Sequence, residues 1–201
     1  MKNILKSIMC IAVLFLSSSC DTESTGDVSF VTNYAVFEYD NLAVVPLNGT
    51  FTPSAVATEN GATLEVTSGG NVDTSTVGVY DVSYSATNSD GFAATVFQTV
   101  VVHDPAIVGT DVTGNIQDAG RNERKGIITL VPGTTSIFHC TDFGFGGNFP
   151  MYFQMDGDII SEIPQTYPFS ATSVALTYDP ATRMFTTEIQ PYGFDYTFEY
   201  E

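Results

Sequence analysis

The chain is short of positive charge. Its 201 residues carry six Lys and Arg against 23 Asp and Glu, a formal net charge of −17. Nucleic-acid binding needs Lys and Arg set against phosphates, so this balance argues against that class of partner. It argues equally against electrostatic docking on anionic lipid. Trp is absent and His occurs twice, at His103 and His139. Neither histidine has a His, Cys or Glu at zinc-ligand spacing. No Gly-x-Ser-x-Gly elbow, phosphate loop or dinucleotide fingerprint occurs. No catalytic residue, metal ligand set or cofactor is therefore assigned. Two carboxylates suffice for glycoside hydrolysis, so that one reaction stays open as an alternative. Cysteine is also scarce. Of the three, Cys10 and Cys20 lie in the first twenty residues, and only Cys140 lies beyond. Cys140 then reads as a small buried hydrophobe with no basic neighbour to activate its thiol.

No apolar run is long enough to span a bilayer. The longest, Ile8 to Leu16, follows Lys2 and Lys6 and precedes Ser17-Ser18-Ser19-Cys20. That order of charged start, short apolar stretch and small residues is a secretory signal. With a cysteine directly after the small residues, it resembles the signal peptide of a bacterial lipoprotein. The resemblance implies cleavage before Cys20, lipidation of that residue and a membrane partner through the lipid. Ser17 stands where such signals commonly carry Leu, as in the looser signals of Bacteroidetes lipoproteins. Asp21 and Glu23 resemble that group's surface-export signal, which implies an extracytoplasmic, lipid-anchored protein on the outer membrane facing the cell surface; in enterobacterial lipoproteins an Asp in the position of Asp21 implies inner-membrane retention instead, so the leaflet stays open. Residues 1–19 are then a signal peptide, and 20–33 the lipidated Cys20 with a flexible tether; with Cys10 in the signal and Cys20 lipidated, the resemblance implies no intrachain disulfide. Loss of Lys2 and Lys6 leaves four basic residues against 23 acidic ones, a net of −19.

The remainder reads as all-β. Val, Thr, Tyr and Phe are frequent, turn residues recur at short intervals, and no apolar stripe of helical period persists for three turns. The expected architecture is an N-terminal immunoglobulin-like β-sandwich over 34–104. It is followed by a C-terminal antiparallel β-sheet domain over 105–201, either sandwich or barrel-like. In the first part, Tyr80, Val82, Tyr84 and Ala86 share one face of a strand, with Asp81, Ser83 and Ser85 on the other. Ser68-Gly69-Gly70-Asn71 and Asn88-Ser89-Asp90-Gly91 read as turns. Ala94 to Val102 is nearly all apolar or β-branched, as in a strand covered on both faces.

Val72-Asp73-Thr74-Ser75-Thr76-Val77-Gly78-Val79-Tyr80, continuing through Ala86-Thr87-Asn88-Ser89-Asp90-Gly91 to Thr95, resembles a bacterial Ig-like family. The family is named after a repeat in a pesticidal crystal protein. Val77 stands where it commonly has Pro, and Phe92 where it commonly has Asn. The resemblance covers about residues 35–104 and implies a seven-strand type of sandwich that serves as a spacer or adhesion module, with no active site.

Pro105 marks the boundary to the second part, because it cannot continue a paired strand. Expected strands there are Val112–Ile116, Gly126–Val131, Ser136–Thr141 and Met151–Met155. A hairpin is expected from Val174–Tyr178 and Arg183–Ile189. The final stretch alternates without a break: Tyr192, Phe194, Tyr196, Phe198 and Tyr200 face one side. It reads first as a core wall, with an exposed sugar-stacking platform as the alternative. Candidate ligand-binding residues are Phe143, Phe145 and Phe149 in a glycine-rich loop, with Tyr152 and Tyr167. The first three rings either meet a ligand or tuck back over the sheet. Arg121, Arg124 and Lys125 are candidates for an anionic ligand, or else form a solvated hairpin tip. Lipoprotein signal, Ig-like part and aromatic-rich C-terminal part together resemble small lipoproteins of gut Bacteroidetes that accompany glycan uptake. The expected function is non-catalytic capture of an extracellular polysaccharide, the alternative being a subunit of a surface protein complex.

Overall fold

Period-two alternation and short turns divide the first part into seven strands. They are β1 (Val36–Glu38), β2 (Leu42–Pro46), β3 (Val56–Glu59), β4 (Ala62–Leu64), β5 (Thr67–Gly69), β6 (Gly78–Thr87) and β7 (Ala93–His103). The structure, a computed structural model, describes residues 32–144 and 147–201. The leader, Cys20, the tether up to residue 31 and Phe145 lie outside the described residues.

The seven strands form two sheets, β1-β3-β4 and β2-β7-β6-β5. Every pairing is antiparallel except β2, which runs parallel to β7. The β3–β4 hairpin turns on Asn60-Gly61, both at positive φ (51° and 83°). That two-residue turn matches the twist of its flanking strands. Val45, Val82, Tyr84, Val100 and Val102 fill the space between the sheets. The β6 faces are as the alternation requires: Val82, Tyr84 and Ala86 are buried and Asp81 is exposed. A buried phenol is costly unless paired. The Tyr84 hydroxyl donates to Gln98 Oε1 at 2.7 Å and accepts from the Ser54 N–H at 3.1 Å.

Local chemistry also accounts for the Val72–Tyr80 motif. Asp73 Oδ1 accepts from the Ser75 N–H (3.0 Å) and hydroxyl (2.6 Å), and Oδ2 accepts from the Thr76 hydroxyl (2.9 Å). These bonds hold the Asp73 carboxyl below its ordinary pKa. The Tyr80 hydroxyl then donates to the Thr76 carbonyl at 3.0 Å, fastening the entry to β6 as tyrosine corners do. One expected turn is displaced. Ser68 and Gly69 belong to β5 and pair with Tyr84 and Ser83, and the chain turns after them at Gly70.

The second part is one eight-stranded antiparallel sheet, with strands in the order β12-β11-β10-β9-β8-β15-β14-β13. These are β8 (Gly114–Asp118), β9 (Arg121–Leu130), β10 (Ile137–Cys140), β11 (Met151–Asp156), β12 (Ile159–Glu162), β13 (Thr177–Asp179), β14 (Met184–Ile189) and β15 (Phe194–Tyr200). The fold class is therefore the expected one, all-β with an Ig-like sandwich, and the C-terminal sheet curls toward a barrel. Its interior is lined by Phe138, Phe143, Phe149, Phe153, Phe185 and Phe198 together with Ile116, Ile128, Met151 and Met155. Phe198 is fully buried, and Tyr196 and Tyr200 pack against this cluster, so that much of β15 is a core wall.

The edge strands β12 and β13 come back beside each other without a ladder between them. A side chain bridges the gap. Glu162, at the end of β12, accepts from the N–H of Val174 at 3.0 Å and of Leu176 at 3.4 Å, just before β13. It also accepts the Tyr167 hydroxyl at 2.7 Å. An edge strand otherwise exposes unpaired amides, and this carboxylate satisfies two of them.

A third apolar cluster joins the sandwich to the barrel. Val101 of β7, with Leu42, Val44, Val77 and Val79, packs on Val131, Ile137, Ile163 and Tyr152 of the barrel. The Val79 N–H donates to the Pro164 carbonyl at 2.7 Å. Gly78 lies beneath the same carbonyl, which a Cβ would approach to 3.0 Å. The connection after His103 is fastened as well. The Gly109 N–H donates to the Thr135 carbonyl, and the Thr135 hydroxyl donates to the Ile107 carbonyl. Residues Tyr34–Glu201 accordingly make one compact unit. The all-apolar end of β7 serves two cores at once: Val100 and Val102 face the sandwich interior and Val101 faces the barrel.

Candidate functional site

The loop after β10 is built on one carboxylate. Asp142, almost fully buried, accepts from the N–H groups of Gly144 and Phe149 through Oδ1, each at 3.0 Å. Gly144 passes so close to Ile189 and Tyr196 that a Cβ would lie 2.7 Å from the Ile189 side chain. The loop is thereby drawn over the barrel mouth, and Phe143 and Phe149 go inward. Both rings are fully buried. Phe143 contacts Phe153, Phe185 and Phe198 at centroid distances of 5.4–5.7 Å. Of the two readings of this loop, the rings tuck over the sheet. Phe143 and Phe149 are core residues and offer no face to a ligand.

Burial raises the pKa of Asp142 above its ordinary 3.8, against the opposing pull of the Gly144 and Phe149 amides and the nearby Arg124 charge. A carboxyl raised on folding contributes stability that is fully present below the unfolded value and is lost as pH rises through the folded one. Asp142→Asn removes that titration. Relative to wild type, the variant should gain stability between pH 4 and pH 8, read by urea unfolding at both pH values. No difference between the two would show that the carboxyl titrates normally.

The other expected site residues are scattered. Tyr152 is half-buried at the junction with the sandwich, its ring 4.6 Å from that of His139. Burial holds His139 below its ordinary pKa. Tyr167 stacks on Phe149 at 6.3 Å and gives its hydroxyl to Glu162, and burial with that carboxylate pushes its pKa up. The three basic residues do not form a hairpin tip, because the turn is Ala119-Gly120 and β9 already begins at Arg121. Lys125 pairs with Glu201. Arg124 lies over the Tyr196 ring at 5.0 Å and donates to the Gly144 carbonyl at 3.4 Å. Arg121 lines a shallow groove with Asp118 and Asp195. These cations are committed one by one to the barrel and do not converge on an anion. Cys140 is buried, and desolvation pushes its thiol pKa far up, so it is inert. Among the described residues no group of three or more His, Cys, Asp or Glu is placed to hold a metal.

Three partly exposed rings lie at the same barrel end, one on the segment between β12 and β13 and two at the turn into β15; a second partly exposed pair, Tyr34 and Phe92 at 6.2 Å, lies on the sandwich. Phe169, Tyr192 and Phe194 are 50%, 43% and 45% exposed. Tyr192 and Phe194 lie nearly parallel, 6.1 Å apart and inclined by 19°. The Tyr192 hydroxyl donates to the Phe169 carbonyl, and the Thr172 N–H donates to the Gln190 carbonyl at 2.9 Å. The two loops are thus tied to each other. On the outward face of the sheet, opposite the face that Phe194 takes, a surface groove of about 490 Å³ runs along β13, β14 and β15, lined by Thr177, Thr186, Thr197, Glu188 and Asp195. Glu188 and Asp195 stand directly opposite each other, next to the Ile189–Phe194 pair. Tyr192 and Phe194 were legible as the start of the alternating aromatic stretch. Phe169 has no periodic signal in the sequence, since it lies in a single 3-10 turn at positive φ.

No curated protein matches the chain. Among solved structures, a lipoprotein from Bacteroides thetaiotaomicron is similar over 82% of this chain and 98% of its own, at 23% identity and a TM-score of 0.44. Residues 40–102, the sandwich from just before β2 through β7, match the family described as bacterial surface protein, Ig-like domain.

Proposed function

We propose that this is a non-catalytic, extracytoplasmic surface lipoprotein. Its Ig-like sandwich holds the C-terminal barrel away from the membrane, and the barrel captures an extracellular polysaccharide. The family match over residues 40–102 supports a bacterial surface location. Within that class, residues 72–95 resemble the repeat family of the pesticidal crystal protein. The leader ending at Cys20 supports a lipid tether on the outer membrane. The observation that carries the capture reading is the group of partly exposed rings at the barrel end, Phe169, Tyr192 and Phe194. Exposed apolar clusters on a soluble surface mark interaction sites. The rigid junction around Val101 suits a spacer, because it fixes the direction in which the barrel is presented.

Two measurements test this reading. Mass spectrometry of the native protein should find an acylated Cys20 at the N-terminus, and protease added to intact cells should degrade the protein. A polysaccharide array probed with the purified protein should give retention on at least one polymer. An unmodified start would refute the tether, and no retention on any polymer would refute capture and favour a protein-contact role.

A further inference from the structure

Where the chain enters and leaves the sandwich gives it two unlike ends. β7 runs eleven residues, about 35 Å, from Ala93 to His103. The barrel follows the His103 end. At the opposite end Phe92 precedes β7, and its ring meets that of Tyr34 edge to face, with centroids 6.2 Å apart. The two rings are 47% and 58% exposed, and Val36, two residues beyond Tyr34, is exposed as well. Polar bonds hold the Phe92 turn in place. The Phe92 N–H donates to the Asn88 side-chain carbonyl at 2.7 Å, and the Phe92 carbonyl accepts from the Asn88 N–H at 3.0 Å. Ser89 donates its N–H and its hydroxyl to the Glu59 carboxylate at 2.8 and 2.9 Å. Asn88 and Glu59 are buried, so the turn is footed in the sandwich. A ring presented by a fixed turn loses little conformational freedom on contact. Fourteen residues, 20–33, run from Cys20 to the start of the sandwich at Tyr34. With Cys20 acylated, they keep this end within about 50 Å of the membrane. A surface tethered at that range has an effective concentration on the order of millimolar, so a weak contact is populated. Charge selects the kind of surface. Residues 34–104 contain no Lys or Arg, so an anionic headgroup finds no cation on the sandwich. Aromatic rings settle instead at the level of the headgroups, where an apolar face and a polar edge are both satisfied.

We infer that Tyr34 and Phe92 form a lipid-interface contact, which seats the tethered end of the sandwich on zwitterionic headgroups and points the barrel away from the membrane. This rests on the acylated Cys20 of the reading above. The chain has no Trp, so a single introduced Trp is its only indole and reports its own surroundings. The native acylated protein carrying Phe92→Trp or Tyr34→Trp is purified in detergent and reconstituted into vesicles of phosphatidylethanolamine and phosphatidylcholine. The emission of each variant should shift to shorter wavelength. Brominated phosphatidylcholine should remove about half of that emission or more, the occupancy that a tethered contact of millimolar Kd reaches. Phe97→Trp, at a ring 65% exposed in the middle of β7, should be neither shifted nor quenched. Replacing part of the lipid by phosphatidylglycerol should not deepen the quenching, and deeper quenching there would overturn the choice of headgroup. Thermal melts establish that each variant is folded, and the two positions stand in for each other if one melts early. Protein that does not float with the vesicles in a density gradient would overturn the acyl tether and the contact together. Protein that floats with its indole unquenched at both positions would overturn the contact and leave the tether intact. Short-wavelength emission before vesicles are added would assign the ring pair to the tether or to a second copy. Equal quenching of the Phe97→Trp variant would lay the sandwich on its sheet face. Either result would overturn the contact.

Discussion

Phe143→Ala is expected to destabilise the protein by about 3–5 kcal/mol, the usual range for deleting a fully buried aromatic ring. The ring touches three other phenylalanines from β11, β14 and β15, so its loss opens a cavity where three strands and a loop meet. Urea unfolding followed by circular dichroism reads this directly. A change under about 1 kcal/mol would mean that the ring faces solvent, as in surface substitutions away from packed sites. Phe194→Ala provides the contrast. Its ring is nearly half exposed, so its loss should cost under about 1 kcal/mol.

The second large effect is expected at Glu162. Its carboxylate takes the amides of Val174 and Leu176 and the hydroxyl of Tyr167 across the seam between β12 and β13. Glu162→Ala removes the acceptor for all three donors. Leaving partly buried donors unpaired should cost about 2–3 kcal/mol. Glu162→Gln keeps one carbonyl acceptor and should cost less than half as much. Hydrogen exchange gives a local readout: the Val174 and Leu176 amides should lose protection in the alanine variant, while those of β6 and β7 should not. Equal loss across the whole chain would show that the seam has no separate stability.

Much of this fold was legible because alternation with period two is a strong signal where one face is buried. The β6 face of Val82, Tyr84 and Ala86 and the inward rings of β15 follow from it directly. The apolar end of β7 pointed to cover on both faces, and the barrel supplies the second cover. Short elements were harder. β12 has four residues, and its hairpin turns on Gly157-Asp158, a two-residue signal easily lost beside the longer β11. Arg121 to Lys125 looked like a polar tip, yet these residues are strand: Gln117 pairs with Lys125, which reaches out to Glu201, while Arg124 turns to the Tyr196 ring and the Gly144 carbonyl. The parallel pairing of β2 with β7 carries no local signature, since it joins segments more than fifty residues apart.

The candidate site was less legible for a definite reason. Composition reveals that rings are abundant, but only packing decides which of them stay in water. Phe143 and Phe149 lie in a glycine-rich loop, which suggests exposure. The buried Asp142 turns that loop inward by collecting its amides. Phe169 lies in a short stretch without periodicity, and only the closure of the sheet brings it beside Tyr192.

Capture without chemistry is the central claim, and one measurement bears on it most directly. A polysaccharide that the array retains is incubated with the protein, and the mixture is separated by size-exclusion chromatography with carbohydrate detection. The expected result is co-elution of polymer with protein and recovery of the polymer at its original length. Shorter products, or polymer that never travels with the protein, would contradict it.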